Sequence, residues 1–226
     1  MASQARAVQK PRLPEFRLPE LRSYAGDEFA ADAEYDELEI ADRDLSGQNG
    51  RGARFMECAL TRCTLDRTTL RKARFIDCAL TGIRGVGTDL AETLFRDVEL
   101  VDARLGGVQL HGATLERVVV RGGKLDYLNL RGSELRDVVF EGCVLVEPDF
   151  ARARLERVAF RDCVLRRAEL SGARMKDVDL RTATELDIAR GLDCLSGAVI
   201  SPFQLIDLAP AFAAQLGVRV EDPPVG

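Results

Sequence analysis

The chain has 226 residues, room for one or two domains, and its 31% charged and 46% hydrophobic positions suit a soluble protein with much surface relative to core. Trp is absent and His occurs once, at His111, which thins the catalytic possibilities, and the formal net charge is only −5. The N-terminus MASQARAVQKPRLPEF lacks the apolar run of a secretory signal, and no apolar run is long enough to span a membrane, so the expected compartment is the cytoplasm and no membrane partner is expected.

Residues 1–32 open the chain with Pro11, Pro14 and Pro19 in the phrase PRLPEFRLPEL, followed by GDEFAADAEYDELE. Prolines this closely spaced exclude a helix and a sheet interior, so the segment is expected to be a loose tail that becomes an extended cap. From Glu15 to Asp44 there are 11 acidic residues against three arginines, the one strongly negative stretch.

Residues 33–183 repeat with a period of five. Every fifth residue from Ile40 to Leu180 is Leu, Ile, Val, Met or Phe at 27 of 29 positions, with Gly50 and Gly85 departing. Two residues before each stands a second set, mostly small: Ala53, Cys58, Cys63, Thr68, Ala73, Cys78 and onward to Val178. A helix needs apolar residues at i, i+3, i+4 and i+7, and a flat strand needs alternation; this pattern fits neither. It predicts a short extended piece that points i−2 and i inward, followed by a turn. Ten glycines lie at i+2, where a turn with positive φ favours them. The glycine-rich TGIRGVGTD (81–89) keeps the frame, lacks a phosphate-loop pattern and precedes no helix, so it reads as a softened coil.

Residues 184–226 leave the frame. Ser201 with Gln204 makes a capping box, Pro202 suits a first helical position and Gly217 a stop, predicting a helix over about 202–216 that Pro210 kinks or splits. Phe203, Leu205, Leu208, Phe212 and Leu216 are its candidate cap or dimer residues.

Phrases such as ARLGG (103–107), AELSG (168–172) and VDLRT (178–182) resemble the pentapeptide-repeat proteins over about 150 residues. The resemblance implies an all-β solenoid, a right-handed quadrilateral β-helix with 20 residues per coil. Here that means about seven coils, a core of roughly 35 Å, and a short C-terminal α-helix that also builds a homodimer in related proteins. On that geometry Phe55, Phe75 and Phe95 stack, as do Phe140 and Phe160, Cys58 and Cys78, and Cys143 and Cys163.

The solenoid reading leaves little room for catalysis, cofactor or metal. A filled rod has no concave pocket, His111 falls at an outward turn, and five of the six cysteines occupy inward positions as compact fillers. The expected function is a non-catalytic protein-interaction scaffold. Bacterial family members of the Mfp and Qnr type protect DNA gyrase with a strongly negative rod of duplex-like width, which makes a gyrase-binding DNA mimic conferring antibiotic resistance the alternative. Charge argues against it: residues 41–180 hold 22 acidic and 24 basic side chains, and no face is uniformly basic either, so no direct nucleic-acid binding is expected. Outward Val101, Val119, Val139, Val144, Val146 and Val164, with Ala159, form a candidate partner surface, unless some turn inward at corners.

Overall fold

A computed structural model of the chain describes residues 7–26 and 28–221. The pentad frame becomes a parallel β-solenoid in which each strand pairs with the strand twenty residues on, as in Phe55↔Phe75, Val118↔Val138 and Leu125↔Leu145. Four pentads therefore make one turn with four walls. Two walls belong to a 12-stranded sheet, because strands such as Arg74–Thr81, Thr114–Arg121 and Arg154–Arg161 run unbroken through the corner between them. A third wall is a 6-stranded sheet that includes Arg84–Val86 and Lys124–Asp126. The fourth is held by single-residue bridges such as Gln109↔Asn129 and Asn129↔Asp149.

The coil is longer than the frame implies, about nine turns rather than seven, because irregular segments stack on both ends. Below, Arg22–Ser23 pairs with Leu38–Glu39 across a shortened turn. Above, one extra residue offsets Val164↔Glu185, the register shifts on both sides of Ala168↔Ile188, and Glu185–Arg190 and then Ala198–Val199 continue the sheets past Ala183. Backbone pairing at the last rung thus extends beyond the side-chain pattern that announced it.

The corners explain the turn chemistry. Every fifth residue from Asp32 to Asp177 has a positive φ, ten of them glycine and twenty not, the latter at 49–61°. An L residue in this region costs about 1 kcal/mol; the stack offsets it, since each corner N–H donates to the next coil, as Arg62 N does to Thr81 O at 2.8 Å. Inside, Tyr35, Phe55, Phe75 and Phe95 form one stacked ladder with centroids 4.7, 4.6 and 5.1 Å apart, and Phe140 stacks on Phe160 at 5.0 Å. The small inward row has its own hydrogen-bond rule: Cys58, Cys63, Thr68 and Thr88 each donate to the carbonyl 23 residues earlier, at 3.3, 3.2, 2.8 and 2.7 Å. A hydroxyl or thiol fits there because it closes a bond that Ala leaves unused.

The two ends are closed differently. Gly50 departs from the frame where Phe29 and Leu70 crowd the position: a Cβ on Gly50 would meet Leu70 Cδ2 at 2.9 Å and the Phe29 Cβ at 3.3 Å. Phe29 packs edge-on against Phe55 and Tyr35, at 5.2 and 5.3 Å. At the other end helix α1, Pro202–Gln215, runs without interruption through Pro210. Its capping box forms, with Gln204 N donating to Ser201 Oγ (3.2 Å) and Ser201 N to Gln204 Oε1 (2.8 Å).

Candidate functional site

The described interior is packed with apolar side chains. The axial space is an apolar cavity of about 70 Å³ lined by side chains such as Leu65, Phe75, Leu90 and Leu125. Cys58 and Cys78 share one inward column and Cys143 and Cys163 another, with Cys143 N donating to Cys163 Sγ at 3.4 Å. The neighbouring sulfur, then burial, push the Cys78 and Cys143 thiols far up, so both stay protonated fillers. His111 is half-buried with Nδ1 unpartnered among the described residues, in which no cluster of three His, Cys, Asp or Glu could hold a metal ion.

The outer walls carry charge ladders between adjacent coils, including Arg54–Glu34, Arg62–Asp42, Arg136–Glu116 and Lys176–Glu156. Exposed pairs of this kind are screened by solvent and contribute little each. A groove of about 550 Å³ on the third wall is lined by Arg62, Thr64, Gly82, Arg84, Asp102, Arg104 and Gly123. It holds no nucleophile paired with a base.

One corner differs from the other three. Glu37, Glu57, Asp77, Asp97, Arg117, Asp137, Arg157 and Asp177 form a single column along the rod, and none of them is exposed. At the other corners every non-glycine residue of positive φ, from Asp32 to Arg167, is exposed. Within the column, Arg117 holds Asp97 with two bonds of 2.6 Å, and Arg157 holds Asp137 with bonds of 2.7 and 2.9 Å. Burial works to raise the Asp137 pKa, but the Arg157 hydrogen bonds and the Arg12 amide hold it below the ordinary carboxylate value. Asp77, without an ion-pair partner among the described residues, is shifted upward by burial and by the charge of Asp97.

The cover is the N-terminal segment. Gln9 N donates to Asp177 Oδ1 at 3.2 Å, Arg12 N donates to Asp137 Oδ1 at 3.0 Å, and Arg22 N donates to Glu37 O at 2.9 Å. Coils about 4.8 Å apart put Asp177 and Asp137 roughly 10 Å apart, the reach of three extended residues. Residues 7–21 therefore run extended down the rod, opposite to the direction in which the coil climbs. Val8, Pro11, Pro14, Phe16, Leu18 and Leu21 are its half-buried residues, while Arg12 and Arg17 are exposed.

This strap corrects the expected partner surface. Val119, Val139 and Ala159 do point outward, between the inward pairs of their strands, yet they are only 2%, 1% and 4% exposed. They lie two residues past Arg117, Asp137 and Arg157, beside the corner where the segment bonds Asp137. Val101, Val144, Val146 and Val164 are half-buried, so the six valines do not form one free apolar strip. The prolines and the five-residue echo RLPEF/RLPEL at 12–21 were the available signal for the strap; what it lies on had none.

The candidate residues of α1 likewise divide. Leu208 is buried and Phe212 half-buried, whereas Phe203, Leu205 and Leu216 are 79%, 53% and 79% exposed, and Ile206, absent from the expected stripe, is 69% exposed. The residue that docks the helix is polar: buried Gln204 donates from Nε2 to Leu180 O (2.8 Å) and Ala183 O (3.0 Å), carbonyls at the end of the regular coil.

Residues 53–130 match the family model described as "Pentapeptide repeat region", and residues 124–162 and 149–181 match "Pentapeptide repeats (8 copies)". Among solved structures, the chain is similar to HetL, a pentapeptide repeat protein involved in heterocyst differentiation regulation from the cyanobacterium Nostoc sp. strain PCC 7120. Identity is 18%, the TM-score is 0.44, and the match covers 68% of this chain and 90% of that one. It is also similar to a trypsin-treated variant of QnrB1, a plasmid-mediated fluoroquinolone resistance protein, at 16% identity and a TM-score of 0.39, over 89% of this chain and 100% of that one. Rfr23 from the cyanobacterium Cyanothece 51142 matches at 17% identity and a TM-score of 0.26, over 50% of this chain and 87% of that one. No curated protein matches the chain.

Proposed function

The chain belongs to the pentapeptide-repeat family, and we propose that it is a non-catalytic scaffold that binds a protein partner and pairs with a second copy of itself through α1. The observation that carries this reading is the exposed apolar face of a helix already docked by another face. Gln204 and Leu208 hold α1 to the coil, which leaves Phe203, Leu205, Ile206 and Leu216 facing outward at the end of the rod. An apolar patch in that place marks a contact surface, and a two-fold arrangement lets the same patch cover itself. Light scattering is expected to report twice 24.9 kDa. The double substitution Phe203→Asp with Ile206→Asp is expected to halve that mass and leave the β-type circular dichroism unchanged. A wild-type chain that stays monomeric at high concentration removes the dimer.

A second reading, a rod that imitates duplex DNA and binds DNA gyrase, is favoured by the corner column, whose eight residues, one per coil of about 4.8 Å, include six carboxylates, four of them consecutive. It is opposed by the strap over that column and by the charge balance of the walls. A supercoiling assay with gyrase and a quinolone separates the readings: neither protection nor inhibition at micromolar protein eliminates the mimic. The proposed compartment is the cytoplasm, in keeping with six free thiols.

A further inference from the structure

We propose that the corner column Glu37–Asp177, with the row Val119, Val139 and Ala159 beside it, is a docking groove for an extended, proline-interrupted peptide, and that residues 7–21 are its resident and exchangeable occupant. The inference rests on the reading of the rod as a scaffold for a protein partner, and it names the surface and the partner's chemistry.

Three observations carry it. The strap is weakly tied: residues 7–21 form no strand, and their hydrogen bonds among the described residues are the two from Gln9 N and Arg12 N to carboxylates. A segment held this way opens locally at low free energy compared with a rung bonded on both sides. The surface beneath is built without the strap, since the strands of this corner run through it unbroken and Arg157 fixes the Asp137 carboxylate with two hydrogen bonds. A pre-organised surface spends little of its binding energy on ordering itself. Finally, the row Val119, Val139 and Ala159 becomes an exposed apolar strip when the strap leaves, which favours a replacement over an empty groove.

The strap also shows what the groove accepts. Pro11, Pro14, Phe16, Leu18 and Leu21 form its inner face, so a ligand needs an apolar residue at every second or third position. It needs free backbone N–H groups to meet Asp137 and Asp177, which rules out proline at those two points. Basic side chains belong on its outer face, as Arg12 and Arg17 do here, where the charge of Arg12 already favours ionised Asp137. Tethering gives the resident segment an effective concentration on the order of millimolar, so a partner's segment gains access by tighter binding or by high local concentration.

The test uses the full chain carrying Phe16→Asp and Leu18→Asp, which removes the inner contacts of the strap and leaves the groove intact. The probe is a fluorescein-labelled peptide of residues 7–22. Saturable anisotropy binding to this variant is expected, at least tenfold weaker binding to the wild-type chain, and loss of binding when Asp137→Asn and Ala159→Arg are added to the variant. Hydrogen exchange on the same samples is expected to show residues 7–21 released and the rod protected. Protection that persists over residues 7–21 overturns the proposal, as does failure of a released variant to bind the peptide. Equal binding by the wild-type chain or by a scrambled peptide overturns it as well. A mixed dimer in which the variant captures the strap of a wild-type copy supports the same groove with a second copy as ligand. Loss of peptide binding leaves the α1 dimer and the scaffold reading untouched, because scattering measures those separately.

Discussion

The two ends of the rod meet the same physical problem with different chemistry. A solenoid coil is stable only when covered, so its first and last rungs leave apolar side chains and backbone groups open. At the lower end the answer is apolar: Phe29 fills the place that Gly50 leaves empty and continues the aromatic ladder edge-on. At the upper end it is polar: Gln204 caps its own helix and satisfies two carbonyls of the last regular turn. The difference shows that an end cap answers what the terminal rung lacks, a side chain below and a donor above. The lower cap also sends its chain up the outside of the rod, so one end of the molecule reaches the other.

The largest effect expected from breaking this comparison is at Phe29. Phe29→Ala opens a cavity beside Phe55 and Tyr35 and is expected to cost about 3–4 kcal/mol in denaturant unfolding. Hydrogen exchange should place the loss in the first coils, around residues 34–56; a loss spread evenly along the rod would mean that the aromatic cap does not act locally. Gln204→Ala comes next, at about 2 kcal/mol, from one capping hydrogen bond lost and Ala183 O left without a donor, while Leu180 O keeps the Ala183 amide. Its loss should appear at residues 178–200 and in the helical signal. If Gln204→Leu restores stability, packing rather than hydrogen bonding docks α1.

A smaller effect concerns the strap that joins the ends. The Asp137 pKa lies below its unfolded value of about 3.9, so the group contributes stability above that value and loses it as the pH falls through the folded pKa. Exchange protection of residues 8–14 is therefore expected to fall below about pH 4, and Asp137→Asn should flatten that dependence. The smallest effect is at Asp77, where the sign reverses. Its pKa is raised, so its contribution is full below the unfolded pKa and declines as the pH rises through the folded one. Asp77→Asn is expected to raise stability slightly at pH 7, because solvent screens the charge, with no gain at pH 3; equal gains at both values would exclude the charge as the cause.

Much of the molecule was legible in the chain. The pentad pattern marks ten glycines as turn positions, the twenty-residue coil that the family resemblance implies puts Phe55 over Phe75 and Cys143 over Cys163, and the structure has them there. The frame does not announce the outer coils, because Arg22–Ser23 and Ala198–Val199 join through backbone pairing alone, which any side chain permits. For the candidate surfaces, the sequence showed which residues were apolar and outward but not which were uncovered. Val139 and Phe203 look alike in that respect, and one is buried while the other is exposed.

The division has a physical cause. A five-residue period is a local property: the turn recurs before the chain can do anything else, so the pattern set the recurring turn, the inward direction of each side chain and the filler role of the cysteines, and the family resemblance supplied the coil of four pentads. The strap's contacts join Arg12 to Asp137 and Gln9 to Asp177, 125 and 168 residues apart. Nothing periodic links such pairs. Only the stacked rod brings them together, because the rise of the coil carries distant residues into one column beside an extended segment long enough to follow it.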